Sequence, residues 1–240
     1  NTLLNQLFYN IIWGQKGNFL DVPTDCPQRD ERLGWTGDAQ VFVRTACLNY
    51  DAEKFFTKWL ADLASDQHDD GYVGHVIPDL LQNPHASSAW GDAAAICPWQ
   101  VYLAFGNKQI LKNQYQSMKK WIDYITSTTT TKYLWTGGTH YGDWLGLAPS
   151  GSYKGSSNED FIASAFYAYS TSLVIQAGTV LGEDVSELST LYENIVNTFQ
   201  KTWPTYHTQT ECVLAAHFKL AKNCQAAADQ LADMVRACGT

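Results

Sequence analysis

At 240 residues the chain is long enough to bury a sizeable core, and its 45% hydrophobic content excludes a disordered polymer. A formal net charge of -8 excludes a nucleic-acid backbone as partner, because phosphate binding needs clustered Lys and Arg. No apolar run reaches the ~18 residues a membrane helix needs, so no membrane partner is expected.

In chain order, Leu3, Leu4, Leu7, Phe8, Ile11 and Ile12 recur at helical spacing, and Gly14 and Gly17 are expected to end that helix. Residues 18–36 hold Pro23, Pro27 and Gly34 without a helical period and read as a long loop. A helix follows from about Gly37 to Asn49, with Val41, Phe42, Thr45, Ala46 and Leu48 on its inner side. Asp51 is expected to cap the next helix, its side chain accepting from the first turn. That helix runs to about Ser65 with Phe55, Phe56, Trp59, Leu60 and Leu63 inside. Asp66 to Pro84 is loop, with short strand-like pieces near 72–77.

Further helices are predicted at about 87–105, 108–127, 159–181, 184–201, 207–221 and 224–238, divided by Gly106-Asn107, Gly182-Glu183 and Ala221-Lys222-Asn223. Between them, 128–158 is rich in Thr and Gly, with Pro149, and carries Trp135, Tyr141, Asp143 and Trp144, which marks a functional loop rather than a linker. The pattern is all-α, about nine helices in antiparallel pairs, a toroid whose long loops build a site on one rim.

Six cysteines, at 26, 47, 97, 212, 224 and 238, show no CxxC spacing and read as buried reduced thiols rather than a zinc site. Residues 1–10 carry no basic cluster or signal-peptide core and the chain has no N-x-[ST] sequon, so a cytoplasmic origin is expected. Aromatic residues make up 13% of the chain: nine Trp, 13 Tyr and 10 Phe. Trp13, Trp59, Trp99, Trp121 and Trp203 fall on helical faces and are expected in the core. His207 and His217 fall in predicted helices and read as packing; His75 and His85 read as structural; His140, among the glycines of the long loop, is a candidate substrate contact. Asp66-Gln67-His68-Asp69-Asp70-Gly71 reads as a polar turn, because it lacks the Glu that completes a calcium loop.

The stretch from Asp25 to Gln40 concentrates chemistry: Asp25, Asp30, Glu31 and Asp38, with Arg29, Arg32 and Trp35. Glycosidic cleavage needs one carboxyl group to protonate the leaving oxygen and a second as base or nucleophile. Crowded carboxylates raise one another's pKa, arginines fix geometry, and an indole gives a stacking wall for the C–H face of a sugar. Salt bridges in a solvated loop would use the same residue types, so composition alone leaves both readings open.

The run DVPTDCPQRDERLGWTGDAQ at 21–40 closely resembles the signature of bacterial α-L-rhamnosidases, glycoside hydrolase family 78. The resemblance continues through Ser87-Ser88-Ala89-Trp90-Gly91-Asp92-Ala93 and Gly142-Asp143-Trp144 and covers essentially the whole chain. It implies an (α/α)6 barrel, or six-hairpin toroid, and hydrolysis of terminal, non-reducing α-L-rhamnose with inversion. The partners implied are rhamnose-containing glycosides, without metal or cofactor. Glu31 matches the general acid; Asp25, Arg29 and Asp38 match residues that grip rhamnose hydroxyls; Trp35, Trp90 and Trp144 match pocket aromatics. Asp92 and Asp143, beside Trp90 and Trp144, are expected either to bond sugar or to cap their loops, and Asp143 is carried forward as a substrate-binding candidate.

Two carboxyls in one short loop sit too close for inversion, which needs roughly 6.5–9.5 Å between them. The family's base lies in a later Trp-Glu segment, and none of the nine tryptophans here is followed by Glu. The expectation is therefore a partial barrel over 1–240, incomplete at its C-terminal end, with the base beyond that end and the family's flanking β-sandwich domains absent. Apolar helix faces left uncovered would invite self-association. The alternative is a rhamnose-binding or inert helical fragment. Another six-hairpin glycosidase, such as a glucuronyl hydrolase relative, is disfavoured by the length of the 21–40 match.

Overall fold

The computed structural model describes residues 1–146 and 151–238; Pro149 and the side chain of Cys238 lie outside the described residues. Nine helices occupy them: α1 (Thr2–Asn18), α2 (Thr36–Asn49), α3 (Glu53–Asp66), α4 (Ala93–Phe105), α5 (Lys108–Thr128), α6 (Glu159–Leu181), α7 (Ser186–Thr202), α8 (Gln209–His217) and α9 (Cys224–Cys238). Among the described residues none is long and apolar enough to cross a membrane. The near-strand signal at 72–77 yields a single bridge, Trp35 to Val76. The chain divides into two compact units, Asn1–Trp121 and Ile122–Thr240.

In the first unit α4 packs against both α2 and α3. Ala93 to Trp99 and Val101 are all buried, as expected of a helix apolar on every side. The face that α2 buries holds Ala46 as expected, with Ala39 and Val43 in place of the larger residues; Val41 and Leu48 are exposed. Small side chains let α2 approach α4 closely. α3 buries Phe56, Trp59, Leu60 and Leu63 as expected. Its N-cap is Ala52 without a side-chain cap, and Asp51 is exposed, so the expected Asp51 cap does not form.

Gly14 and Gly17 do not end α1, which runs to Asn18, where the Phe19 N–H bonds the Gln15 carbonyl. A glycine costs about 1 kcal/mol in a helix, too little to stop one held elsewhere. Here the holding points are Gln15, which donates to the Ala46 carbonyl and accepts from Asn49, and Tyr50, which donates to the Ile12 carbonyl. The stripe of Leu3, Leu4, Leu7 and Phe8 remains more than half exposed, and Trp13, expected in the core, is exposed too.

In the second unit α6 packs against α7 and α8, and α8 against α9. α6 is buried along most of its length, from Phe161 to Gly178. Asn158 and Thr208 cap α6 and α8 by accepting from Phe161 and Glu211, and Gly182 closes α6 in a left-handed conformation. α8 ends at His217, short of the expected 221; His207 lies before it, and both histidines are exposed. Cys26, Cys47, Cys97, Cys212 and Cys224 are free thiols, with Cys97 and Cys212 buried.

Candidate active site

The loop joining α1 to α2 is anchored before it turns. Phe19 stacks on Phe55 at 4.6 Å between ring centroids and meets Phe42 and Phe56 edge-on, tying the loop to α2 and α3. Thr24 donates twice to the Asn18 carbonyl, from its N–H and its hydroxyl. At the far end, Thr36 donates from its N–H to the His75 carbonyl and from its buried hydroxyl to the Gly74 and His75 carbonyls. The Ile77 N–H bonds the Gly34 carbonyl, and a Cβ on Gly34 would lie 2.6 Å from the Ile77 oxygen. Only glycine lets these two backbones come together.

Between the anchors stands the carboxylate-rich segment. Its ends close through the Asp25 N–H and the Leu33 carbonyl, 3.4 Å apart. Arg32 adopts a positive φ of 46° and its Nε donates to the Pro27 carbonyl. Glu31 and Arg29 are solvent-exposed, with Arg29 Nη1 3.7 Å from Glu31 Oε1. Asp25 is half-buried and its Oδ1 is enclosed without a hydrogen-bond partner. Asp38 sits in the first turn of α2. It is accessible as a residue, yet the protein around its carboxyl pushes its pKa up, and the charge of Asp25 adds to the rise. Asp25 and Asp38 are thus close enough to feel each other, across the start of one helix.

Trp35 and the buried Trp90 are both placed by the start of α2. Trp35 immediately precedes α2 and is half-buried. The Trp90 indole lies against Gly37, where an added Cβ would come within 2.6 Å of Cε2. Gln40 donates to the Ala89 carbonyl, holding the turn before Trp90 against the same helix. Trp35, Gly37 and Asp38 share the opening turn of α2, so the structure brings Trp35, Trp90, Asp25 and Asp38 to one place.

Asp92 has a different duty. It is fully buried and accepts from the Trp121 indole N–H at 3.0 Å and the Ala89 N–H at 2.7 Å. His75 is buried with Asn83 at 2.7 Å from its Nδ1, matching its structural reading. The polar turn is built as one: Asp66 accepts from Asp79, Asp70 accepts from Tyr72, and His68 pairs with Asp79.

Asp143 and Trp144 belong to the second unit. Asp143 accepts from the Thr210 hydroxyl at 2.7 Å and from Ser157, and its N–H bonds the Lys154 carbonyl. Trp144 stands 49% exposed, edge-on to Tyr141 and 6.2 Å from Tyr153. His140, a candidate substrate contact, is buried against the Trp135 ring as a core residue is, and burial pushes its pKa down.

Sequence reading missed Thr36, Gln40 and Glu211. Glu211 is buried and accepts from the His207 and Asn158 N–H groups, joining two loops. Thr208 and Glu211 at capping-box spacing were a signal that could have found it.

All 240 residues match the model of the bacterial alpha-L-rhamnosidase six-hairpin glycosidase domain. The chain belongs to that family. Its all-α, six-hairpin fold is the one expected from the helix pattern and the 21–40 motif. An alpha-L-rhamnosidase of Formosa agariphila is 40% identical over 227 residues, which is 90% of this chain and 24% of that protein. The crystal structure of the Streptomyces avermitilis alpha-L-rhamnosidase complexed with L-rhamnose is 37% identical, with a TM-score of 0.89 over 98% of this chain and 23% of its own. The native rhamnosidase of Aspergillus terreus gives 36% identity and a TM-score of 0.91 over 99% of this chain and 29% of its own. The chain spans about a quarter of the length of three curated rhamnosidases that it matches over nearly all of its own.

Proposed function

We propose that these residues supply the acid and much of the sugar grip of an inverting α-L-rhamnosidase acting on terminal, non-reducing α-L-rhamnose. The observation that carries this reading is the loop before α2. That loop carries an exposed Glu31 beside Arg29 and a half-buried Asp25 with an unsatisfied acceptor oxygen, and it leads into an Asp38 held above its ordinary pKa. Glu31 protonates the glycosidic oxygen. Asp25 and Asp38 accept sugar hydroxyls, Arg29 donates to one, and Trp35 and Trp90 give an apolar surface suited to the C5 methyl of a deoxyhexose. That a related structure is complexed with L-rhamnose supports the choice of sugar. Inversion needs a second carboxyl group roughly 6.5–9.5 Å from the first. We place it outside these 240 residues, because no Trp here is followed by Glu.

In a full-length protein carrying this domain, Glu31→Gln is expected to lower kcat on alkyl rhamnosides by about 10²–10⁴. The loss should be far smaller with nitrophenyl leaving groups, which need little protonation, and rhamnose affinity should stay nearly unchanged. Lost binding with preserved turnover would refute the assignment. The missing Trp-Glu also favours a second reading, in which the isolated chain binds rhamnose without turning it over. Nitrophenol release by the chain, measured beside a full-length protein, separates the two.

A further inference from the structure

The end of α7 and the first half of α9 border a half-open pocket of about 240 Å³ that involves none of the residues discussed for catalysis. Trp203, Tyr206, Gln200, Gln230, Asn223 and Lys222 are among its lining residues, and no carboxylate is. Both rings are fixed from behind: Trp203 packs on Phe199 at 5.0 Å and on Phe161 at 5.5 Å, and Tyr206 packs on Phe161. Both remain part-exposed.

The amides are fixed as well. Gln230 donates from Nε2 to the Tyr206 carbonyl at 2.7 Å, and Gln200 donates to the Leu220 carbonyl at 2.9 Å, which leaves each Oε1 as an acceptor. Asn223 accepts from the Ala226 N–H through Oδ1, which leaves its Nδ2 hydrogens as donors. Lys222 adds a single exposed ammonium. The ligand that fits must offer an apolar face to two rings and, at its edge, groups that both donate and accept. An acyl chain would strand the amides without partners. A phosphate would find one cation and no fork of donors. A pyranose has a C–H face and a rim of hydroxyls, and the side chains that meet it are already oriented, which lowers the ordering cost of binding.

We propose that this pocket is a second, non-catalytic sugar site that takes one neutral pyranose unit of a glycan. It stands on the second unit alone and does not depend on the role assigned to Glu31. The test titrates the ¹⁵N-labelled chain with methyl α-L-rhamnopyranoside and follows side-chain signals. The Trp203 indole N–H and the Asn223 and Gln230 amides should shift saturably in the millimolar range. Gln230→Ala and Lys222→Ala should each weaken that titration roughly fivefold, whereas Glu31→Gln leaves it unchanged. Neither variant removes a core ring, so the fold persists. Movement of the Trp35 and Trp90 indoles reports the acid loop separately, so one site can fail while the other holds. A Trp203 indole that stays still up to the solubility limit of the glycoside, or a titration unaltered in both variants, overturns the proposal.

Discussion

Asp92 and Asp38 each stand at the start of a helix, α4 and α2, and do opposite things. Asp92 is buried and spends both oxygens on the Trp121 indole and the Ala89 N–H, so it fixes the turn that delivers Trp90. Asp92→Ala would remove the acceptor of the buried Trp121 indole N–H and of the part-buried Ala89 N–H and is expected to cost roughly 2–4 kcal/mol, read from the urea midpoint. The charged form of Asp38 is instead disfavoured by the protein around it. Its folded pKa lies above the ordinary 3.8, through the protein around it and then Asp25. The protonated form is therefore favoured by folding. That contribution is present below about pH 3.8 and is lost as pH rises through the folded value. Asp38→Asn should accordingly raise the melting temperature at neutral pH and leave it unchanged in strong acid. In a full-length protein it should also cut rhamnose affinity, as expected where a site trades stability for function. A variant melting lower than the parent at neutral pH would contradict the assignment.

At the scale of elements, apolar spacing and burial come apart. α1 and α3 both carry large apolar residues at helical intervals, yet Leu60 is fully buried while Leu4 and Phe8 are 64% and 52% exposed. Leu60→Ala should cost about 2–5 kcal/mol, the ordinary loss for a core leucine. Leu4→Gln and Phe8→Gln should each stay within about 0.5 kcal/mol. Thermal melts of the three variants check the contrast. α2 makes the same point in reverse: its buried face includes Ala39 and Val43, small residues that a search for large apolar side chains passes over. Helix ends follow local chemistry more closely. Gly106 and Gly182 end α4 and α6 as predicted, because a left-handed terminus favours a residue without Cβ.

For the whole molecule, charge sets colloidal behaviour rather than fold. With a net charge of -8 at neutral pH and a pI near 5.1, solubility should be lowest close to pH 5.1 and recover on either side. Light scattering across that range checks it. The existence and order of the helices were legible in the sequence, since a 3.6-residue period and its glycine stops are local properties. The 21–40 motif was legible for a related reason: its carboxylates, arginines and indole lie within one short stretch of chain. The family follows from that stretch.

Tertiary structure decided the remainder, because burial and partnership depend on what a distant segment brings. No local signal says that Gly37 exists to seat Trp90, that Asp92 belongs to Trp121, or that His140 is packed against Trp135. Nor does the sequence show Asp25 lending its charge to Asp38, since a carboxyl group's pKa is set by neighbours in space and by the water they exclude.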